Sequence, residues 1–276
     1  MSDYYTLVEA CELLKLSKKY LENYGKVGKE LNIQKIGNRN KIAIDELNAW
    51  KLQREFGLVT LETLDYISCI EFAIRSFYNY SSTSDFGTST LRDAGKFISN
   101  FAIGKLGEIA VKKFLKRNFD IEIALDFSLR DAVVGQDISE MARPRVGGRV
   151  YNPLRRRVAI KTTKMKNVWL IVPAKEVEDP DRKSDIYISV RADLFQDHLI
   201  RLLRDHSALE NIKAIIPAFE DIPAEVCGFA YYDDISSVPA VEELPLQRQA
   251  IGRSYIMNTG RLNRTKSEWD TMLATL

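Results

Sequence analysis

Gly104-Lys105-Leu106-Gly107-Glu108-Ile109-Ala110-Val111-Lys112-Lys113-Phe114-Leu115 leads, by way of Gly135-Gln136-Asp137-Ile138, to Arg155-Arg156-Arg157-Val158-Ala159-Ile160-Lys161-Thr162-Thr163-Lys164. The first piece is spaced as an amphipathic helix over 104–116, with Ile103, Leu106, Ile109 or Ala110, and Phe114 on its buried side. The two glycines ahead of Glu108 permit close approach to a neighbouring element. The last piece alternates as a strand: Val158, Ile160 and Thr162 share one face, and Ala159, Lys161 and Thr163 the other. A lysine directed into a sheet is costly unless it is paired, so Lys161 is the strongest single signal in the chain. Glu108 alone reads as a solvated helix face, and Gly-Gln-Asp as a turn.

Around this stretch, strands are expected at 121–127, 149–163, 168–173, 186–190 and 227–232, with a helix near 192–204. Val-Trp-Leu-Ile-Val at 168–172 is apolar throughout, as a central strand would be. The fold class is therefore α/β (α+β): a mixed central β-sheet flanked by helices. Upstream, Leu58, Leu61, Leu64, Ile67, Ile70, Ile74 and Phe77 recur every three or four residues and predict an amphipathic helix. It runs into a polar loop at 81–89. Three units are expected: 1–54, a helical connector at 55–103, and 104–276.

An acid on a helix, an Asp entering a strand, and a strand with Lys two places after a small residue occur in an order that resembles the PD-(D/E)xK nuclease superfamily, which includes restriction endonucleases. The resemblance covers about the middle quarter of the chain. It implies a restriction-endonuclease-like core and Mg²⁺-dependent hydrolysis of double-stranded DNA, with Asp137 as central metal ligand. Lys161 would orient or activate the water and stabilise the pentavalent phosphate. Glu108 would hold the metal or its water from the far side, and Lys164 would contact phosphate. The chemistry wants these types because Mg²⁺ takes a few carboxylates plus water and phosphate oxygen.

One position departs from the family pattern: Ala159 stands where the family places an acid. Three readings are open. Ala159 replaces an acid and silences cleavage; the acid comes from elsewhere, with Glu108, Asp131 or Glu140 as candidates; or the domain binds DNA without cutting it. The otherwise regular Val-x-Ile-Lys strand favours the first. Arg143-Pro144-Arg145-Val146-Gly147-Gly148-Arg149, between the site strands, is placed to reach guanine edges or phosphate, or is simply a basic turn.

Residues 4–50 predict a compact helical module with a hairpin. Thr6 and Glu9 form a capping-box pair before Leu7–Leu14, and Ser17 caps a second helix over 17–24 that Gly25 stops. Two short strands flank Gly37-Asn38-Arg39-Asn40, and Asp45 caps a last helix through Trp50. Glu9-Ala10, Ile36-Gly37, Arg39, Ile44-Asp45 and Leu47-x-x-Trp50 together resemble the excisionase and MerR-like winged helix-turn-helix family. That resemblance implies that Lys18, Lys19, Tyr20 and Asn23 enter the major groove, and that Asn38, Arg39 and Lys41 on the wing touch phosphate or the minor groove.

The composition is globular, 45% hydrophobic and 28% charged over 276 residues, and the net charge of +2 does not itself announce a nucleic-acid binder. The distribution says more: basic runs gather at 15–29, 35–41, 112–117, 143–166 and 248–266, the last a tail that could embrace DNA or a second subunit. Cys11, Cys69 and Cys227 lie far apart and match no zinc spacing, so they are expected to be thiols of a reducing, cytoplasmic protein. No membrane-spanning run, P-loop, dinucleotide fingerprint or Ser-His-Asp set is present. The expected function is that of a type II restriction endonuclease, homodimeric on double-stranded DNA, with Mg²⁺ as cofactor. The alternatives are a non-catalytic excisionase-type regulator, or a repair or mobile-element nuclease.

Overall fold

The structure, a computed structural model, describes residues 3–79, 93–127, 137–245 and 249–276; of Arg145 only the backbone is described. The polar loop at 81–89, Asp131 and Arg248 lie outside the described residues.

The chain opens with β1 (Tyr4–Thr6), α1 (Leu7–Leu14) and α2 (Lys18–Glu22), which continues as one π-helical turn, Asn23–Val27. The Thr6–Glu9 capping box is formed in both directions, and Ser17 accepts the Tyr20 N–H at 3.3 Å. Gly25 does not stop the second helix as expected; the helix widens there, and the missing side chain leaves room for Ile33. Strands β2 (Gln34–Ile36) and β3 (Arg39–Ala43) pair around Gly37-Asn38, with Gly37 at φ +62°, and the three strands lie in the order β1-β3-β2. Helix α3 (Ile44–Gly57) begins two residues earlier than predicted, with Ala43 at the cap and no side-chain cap bond. Asp45 and Glu46 instead fill its first turn, where acids suit the helix dipole.

The 55–103 segment is more than a helical connector. It supplies strand β4 (Leu58–Leu61), helix α4 (Thr63–Asn79) and the start of α5 (Ala94–Phe119), a 26-residue helix that runs unbroken past residue 104. The meander β5 (Glu122–Ala124), β6 (Glu140–Arg145) and β7 (Gly148–Pro153) follows. Next come β8 (Val158–Lys164), β9 (Trp169–Pro173), α6 (Ala174–Glu178), β10 (Ile186–Ala192), α7 (His198–Leu202), a 3₁₀ segment (Ser207–Ile215) and β11 (Ile222–Tyr231). The chain closes with α8 (Tyr232–Ser236), β12 (Ala240–Glu243), β13 (Ala250–Asn258) and α9 (Lys266–Ala274).

A mixed sheet, in the order β4-β11-β10-β8, carries the site strand at one edge. β10 is buried at every residue and is one of two inner strands, parallel to β8 and antiparallel to the other, β11. β9, expected to be central, is instead the edge of a second sheet, β12-β13-β9. Its apolar run has another cause: Trp169 belongs to one buried cluster and Leu170 and Val172 to another, so both faces are covered although one edge is free. The expected 149–163 strand is two strands, and the helix near 192–204 shrinks to five residues.

Helix α5 lies across the mixed sheet through Leu106, Ile109, Ala110, Phe114 and Leu115, joined by Val158 and Ile160 of β8 and by Trp269 and Met272 of α9. The C-terminal tail is thus part of the core and does not form a free basic arm. Its Arg253 is clamped by Glu178 at 2.6 and 2.7 Å.

The N-terminal module is packed onto the rest of the chain. Leu7, Leu21, Tyr24, Leu47 and Trp50 share one core with Val168, Trp169, Leu244 and Ile256. Beside that core, Arg191 of β10, fully buried, pairs with Glu30 and, at 3.5 Å, with Glu225, which also receives Arg54 of α3 at 3.2 Å. Trp50 and Thr259 donate to Glu30 as well, so two arginines and two glutamates neutralise one another in a dry space.

Among the described residues no helix is long and apolar enough to cross a membrane. Cys69 and Cys227 are buried and Cys11 partly so, all three free.

Candidate active site at the edge of strand β8

Strand β8 presents its free edge to Asp137. The Asp137 N–H donates to Val158 O at 2.9 Å, and its Oδ2 accepts the Ile160 N–H at 2.6 Å. Asp137 is thus held to a single strand by one backbone bond and one bond to its carboxylate. Burial pushes its pKa up, opposed by the positive charge of Lys161 and by the Ile160 N–H.

The two faces of β8 differ. Val158 and Ile160 join the core beneath α5, whereas Ala159 is buried in the opposite cluster with Leu170, Val172, Val177 and Tyr187. Lys161 shares the Ala159 face, as the alternation predicts, and its Nζ meets Glu176 Oε2 of α6 at 2.5 Å. Glu176 is the residue that reading the sequence missed. It lies 15 positions from Lys161, on a five-residue helix placed over the strand only by the β8–β9–α6 path. Its one sequence signal is a Glu in the first turn after an apolar strand.

Glu108 approaches from the α5 side. It is buried, 2.7 Å from Lys105 Nζ, and its pKa is pushed up to about 8, first by burial and then by the negative charge of Asp137, with Lys105 pulling the other way. Desolvation outweighs the one ammonium because that ammonium is shared: Lys105 Nζ also donates to Asp126 O at 2.8 Å and lies 4.9 Å from the centre of the Phe72 ring. The approach is set by Gly107, where a Cβ would fall 1.7 Å from Thr162 Oγ1, so bare backbone is required. Gly104 has no such constraint, with nothing within 4 Å of its Cβ position.

The arrangement is a line across an edge strand: Lys105–Glu108 on one face, Asp137 on the edge, Lys161–Glu176 on the other. Among the described residues no three acids, histidines or cysteines converge closely enough to form a ready metal cluster. The chemistry of the donors nevertheless fits a hard cation. Glu108 and Asp137 repel one another and are both desolvated, a condition that a divalent ion shared with water and phosphate would relieve. The remaining acid candidate, Glu140, lies on β6, in the separate meander sheet.

The expected DNA contacts divide. Lys18, Lys19, Asn38, Arg39 and Lys164 are exposed. Asn23 is not free to read bases, since its Nδ2 donates to Lys166 O at 2.8 Å, and Tyr20 is half-buried, stacked on Tyr24 at 6.5 Å. Lys41 is half-buried. Arg143 donates to Leu273 O, and Arg149 holds Asp120 O at 2.7 Å and Glu122 at 3.2 Å, so both arginines brace the meander. The Asn23 bond brings an unforeseen neighbour: the β8–β9 turn, with exposed Lys164 and Lys166, sits against α2.

Compared with known proteins, the chain matches no family model, no curated protein and no solved structure.

Proposed function

We propose that this chain is a Mg²⁺-dependent endodeoxyribonuclease of the type II restriction class, with its catalytic groups on the edge of β8 and its DNA-reading groups on the N-terminal module. The observation that carries the reading is the Lys161–Glu176 pair beside an Asp137 that is bonded to the same strand. A lysine so placed can turn to a phosphate oxygen when one arrives, since its present partner is a single carboxylate at a half-buried site.

Glu176 takes the part that the family pattern gives to position 159. It reaches the face of Lys161 from α6, so an acid at 159 is not needed. Ala159 itself is only 6% exposed among apolar side chains, where a carboxylate would be desolvated. Asp137, with Glu108 behind it, would hold the metal. Bound Mg²⁺ would neutralise the charge developing on the phosphate and lower the pKa of the attacking water. Lys161 stabilises the added negative charge, and Glu176 orients Lys161 and the water. The water gives up a proton to Glu176 as its oxygen bonds to phosphorus, the bridging P–O bond breaks, and the leaving oxygen takes a proton from solvent.

On the binding side, Lys18 and Lys19 of α2, Arg39 of the wing, and Lys164 and Lys166 of the β8–β9 turn supply cations for a duplex backbone, and Asn38 of the wing a neutral amide donor. The turn links α2 to the end of the catalytic strand, so one stretch of duplex could be held along both. A cytoplasmic setting, where both DNA and reducing conditions occur, is part of the same proposal.

The test is plasmid cleavage with Mg²⁺ by the full chain and by Lys161→Ala, Asp137→Asn and Glu176→Gln, with gel-shift binding as control. Discrete fragments from the unaltered chain, lost at least 100-fold in each variant while binding persists, are expected. Binding by all four without cleavage would instead establish an excisionase-type regulator. A smear of fragments would establish a nuclease without site specificity.

A further inference from the structure

The two lysines of the site, Lys105 and Lys161, are held differently. Lys161 meets a single carboxylate, that of Glu176, at 2.5 Å. Lys105, on the opposite face, is caged. Its Nζ lies 2.7 Å from Glu108 Oε2 and 2.8 Å from Asp126 O. It also stands over two aromatic rings packed edge to face, 4.9 Å from the centre of Phe72 and 5.2 Å from that of Phe127. Only 15% of the side chain is exposed. A carboxylate and a main-chain carbonyl are the oxygens that a hard divalent ion takes, and ring faces attract a cation. The cage is built around a positive charge, and an ammonium with three donors fills it.

We propose that Lys105 is a built-in cation standing in the place of a second divalent ion, so that the edge of β8 takes one metal ion per chain. Lys105 engages Oε2 of Glu108, and Oε1 remains for the ion shared with Asp137. The charge balance agrees. Once ionised around that ion, Glu108, Asp137 and Glu176 oppose Lys105 and Lys161, an excess of one negative charge that a single divalent ion already outweighs. The acids are also too few for a pair of ions, since no three of them converge among the described residues. Where two ions act on a phosphodiester, both carry positive charge to the reacting oxygens; here a fixed ammonium behind Glu108 supplies the second charge and cannot dissociate. Lys161 is then the lysine that turns to phosphate, while Lys105 stays in its cage. This inference rests on the nuclease reading, whose metal it concerns.

Counting bound Mn²⁺ by electron paramagnetic resonance on the full chain, without DNA, tests it and needs no turnover. The unaltered chain should take one ion. Lys105→Ala, which leaves the same oxygens around a vacated cage, should take two, and Lys105→Ala/Glu108→Gln should fall back to one or none. Lys105→Gln, which keeps the reach and loses the charge, should bind its first ion at least about tenfold more tightly. Two ions on the unaltered chain, or one on a Lys105→Ala chain with native circular dichroism, would overturn the proposal and leave the nuclease reading standing. Should Lys105→Ala fail to fold, an unchanged affinity in Lys105→Gln would overturn it equally. An unaltered chain that takes no Mn²⁺ would remove the metal-dependent reading as well.

Discussion

Replacing Gly107 with alanine should destabilise the chain, whereas the same change three residues earlier should stabilise it. In a helix interior, alanine is worth about 1 kcal/mol over glycine. At Gly104 nothing opposes that gain, because no atom lies within 4 Å of the added Cβ. At Gly107 the Cβ would meet Thr162 Oγ1 at 1.7 Å, its Cβ at 2.8 Å and its Cγ2 at 2.9 Å. Rotating Thr162 can turn its β-hydrogen toward the new Cβ, but its own Cβ still lies 2.8 Å away and cannot move without β8. Helix α5 must therefore lift off the strand. Overpacking of this kind costs about 3 kcal/mol at its upper end, so the net loss is about 2 kcal/mol. Thr162→Ala in the Gly107→Ala background removes the Oγ1 and Cγ2 clashes but leaves the Cβ contact, and should recover about 1 kcal/mol of coupling. Urea melts of the four proteins, read at constant m-value, measure each term. A Gly107→Ala chain as stable as Gly104→Ala would refute the docking of α5 on β8, and with it the proximity of Glu108 to Asp137.

Other perturbations probe the remaining groups. Glu108 has its folded-state pKa raised from 4.5 to about 8, so its contribution to stability is full below pH 4.5 and is lost as pH rises to about 8. Denaturant melts between pH 5 and 8 should fall by up to about 1.4 kcal/mol per pH unit from this group, and Glu108→Gln should flatten that slope; an unchanged slope would place the titration elsewhere. Ala159→Glu should lose stability by at least about 2 kcal/mol and gain no cleavage, because the carboxylate would be desolvated at a buried position in a largely apolar cluster. Cutting created by that substitution would instead restore position 159 as the site of the acid. Arg191→Met should cost about 3–5 kcal/mol by stranding Glu30, since Glu225 keeps Arg54, and adding Glu30→Gln should return most of it; a mild single effect would mean that water reaches the cluster.

The parts of this molecule legible in its sequence are those fixed by neighbours along the chain. Thr6 and Glu9 are three apart and cap one helix end; Gly37-Asn38 turns one hairpin; the alternation through Lys161 separates its faces. Periodicity faltered where it had two answers. In α4 the apolar positions 64, 67 and 74 mark a helix as well as 66, 69, 70 and 73 do, and only packing against α5 decides which set is buried. In β9 the unbroken apolar run records cover on both faces, a property shared by central strands and by an edge strand between two cores. Glu176 was illegible for a different reason: its meeting with Lys161 depends on the path through β9, and nothing local to Glu176 encodes it. Asn23 shows the converse, a residue placed on an exposed helix whose amide is in fact occupied by the Lys166 carbonyl.

The dry cluster of Arg54, Glu30, Arg191 and Glu225 has a consequence for how such a molecule could change over time. Glu30 and Arg54 come from the N-terminal module and Arg191 and Glu225 from the mixed sheet, and the Arg191–Glu30 and Arg54–Glu225 pairs both cross between the two. Severing the chain after Gly57 would break the Glu30–Arg191 and Arg54–Glu225 pairs and leave Leu21 and Trp50 without Val168 and Trp169. The module is therefore no interchangeable cassette. A new specificity could arise by altering Lys18, Lys19 or the hairpin tip, whereas grafting a foreign head would require carrying the matching charges on β10 and β11 with it.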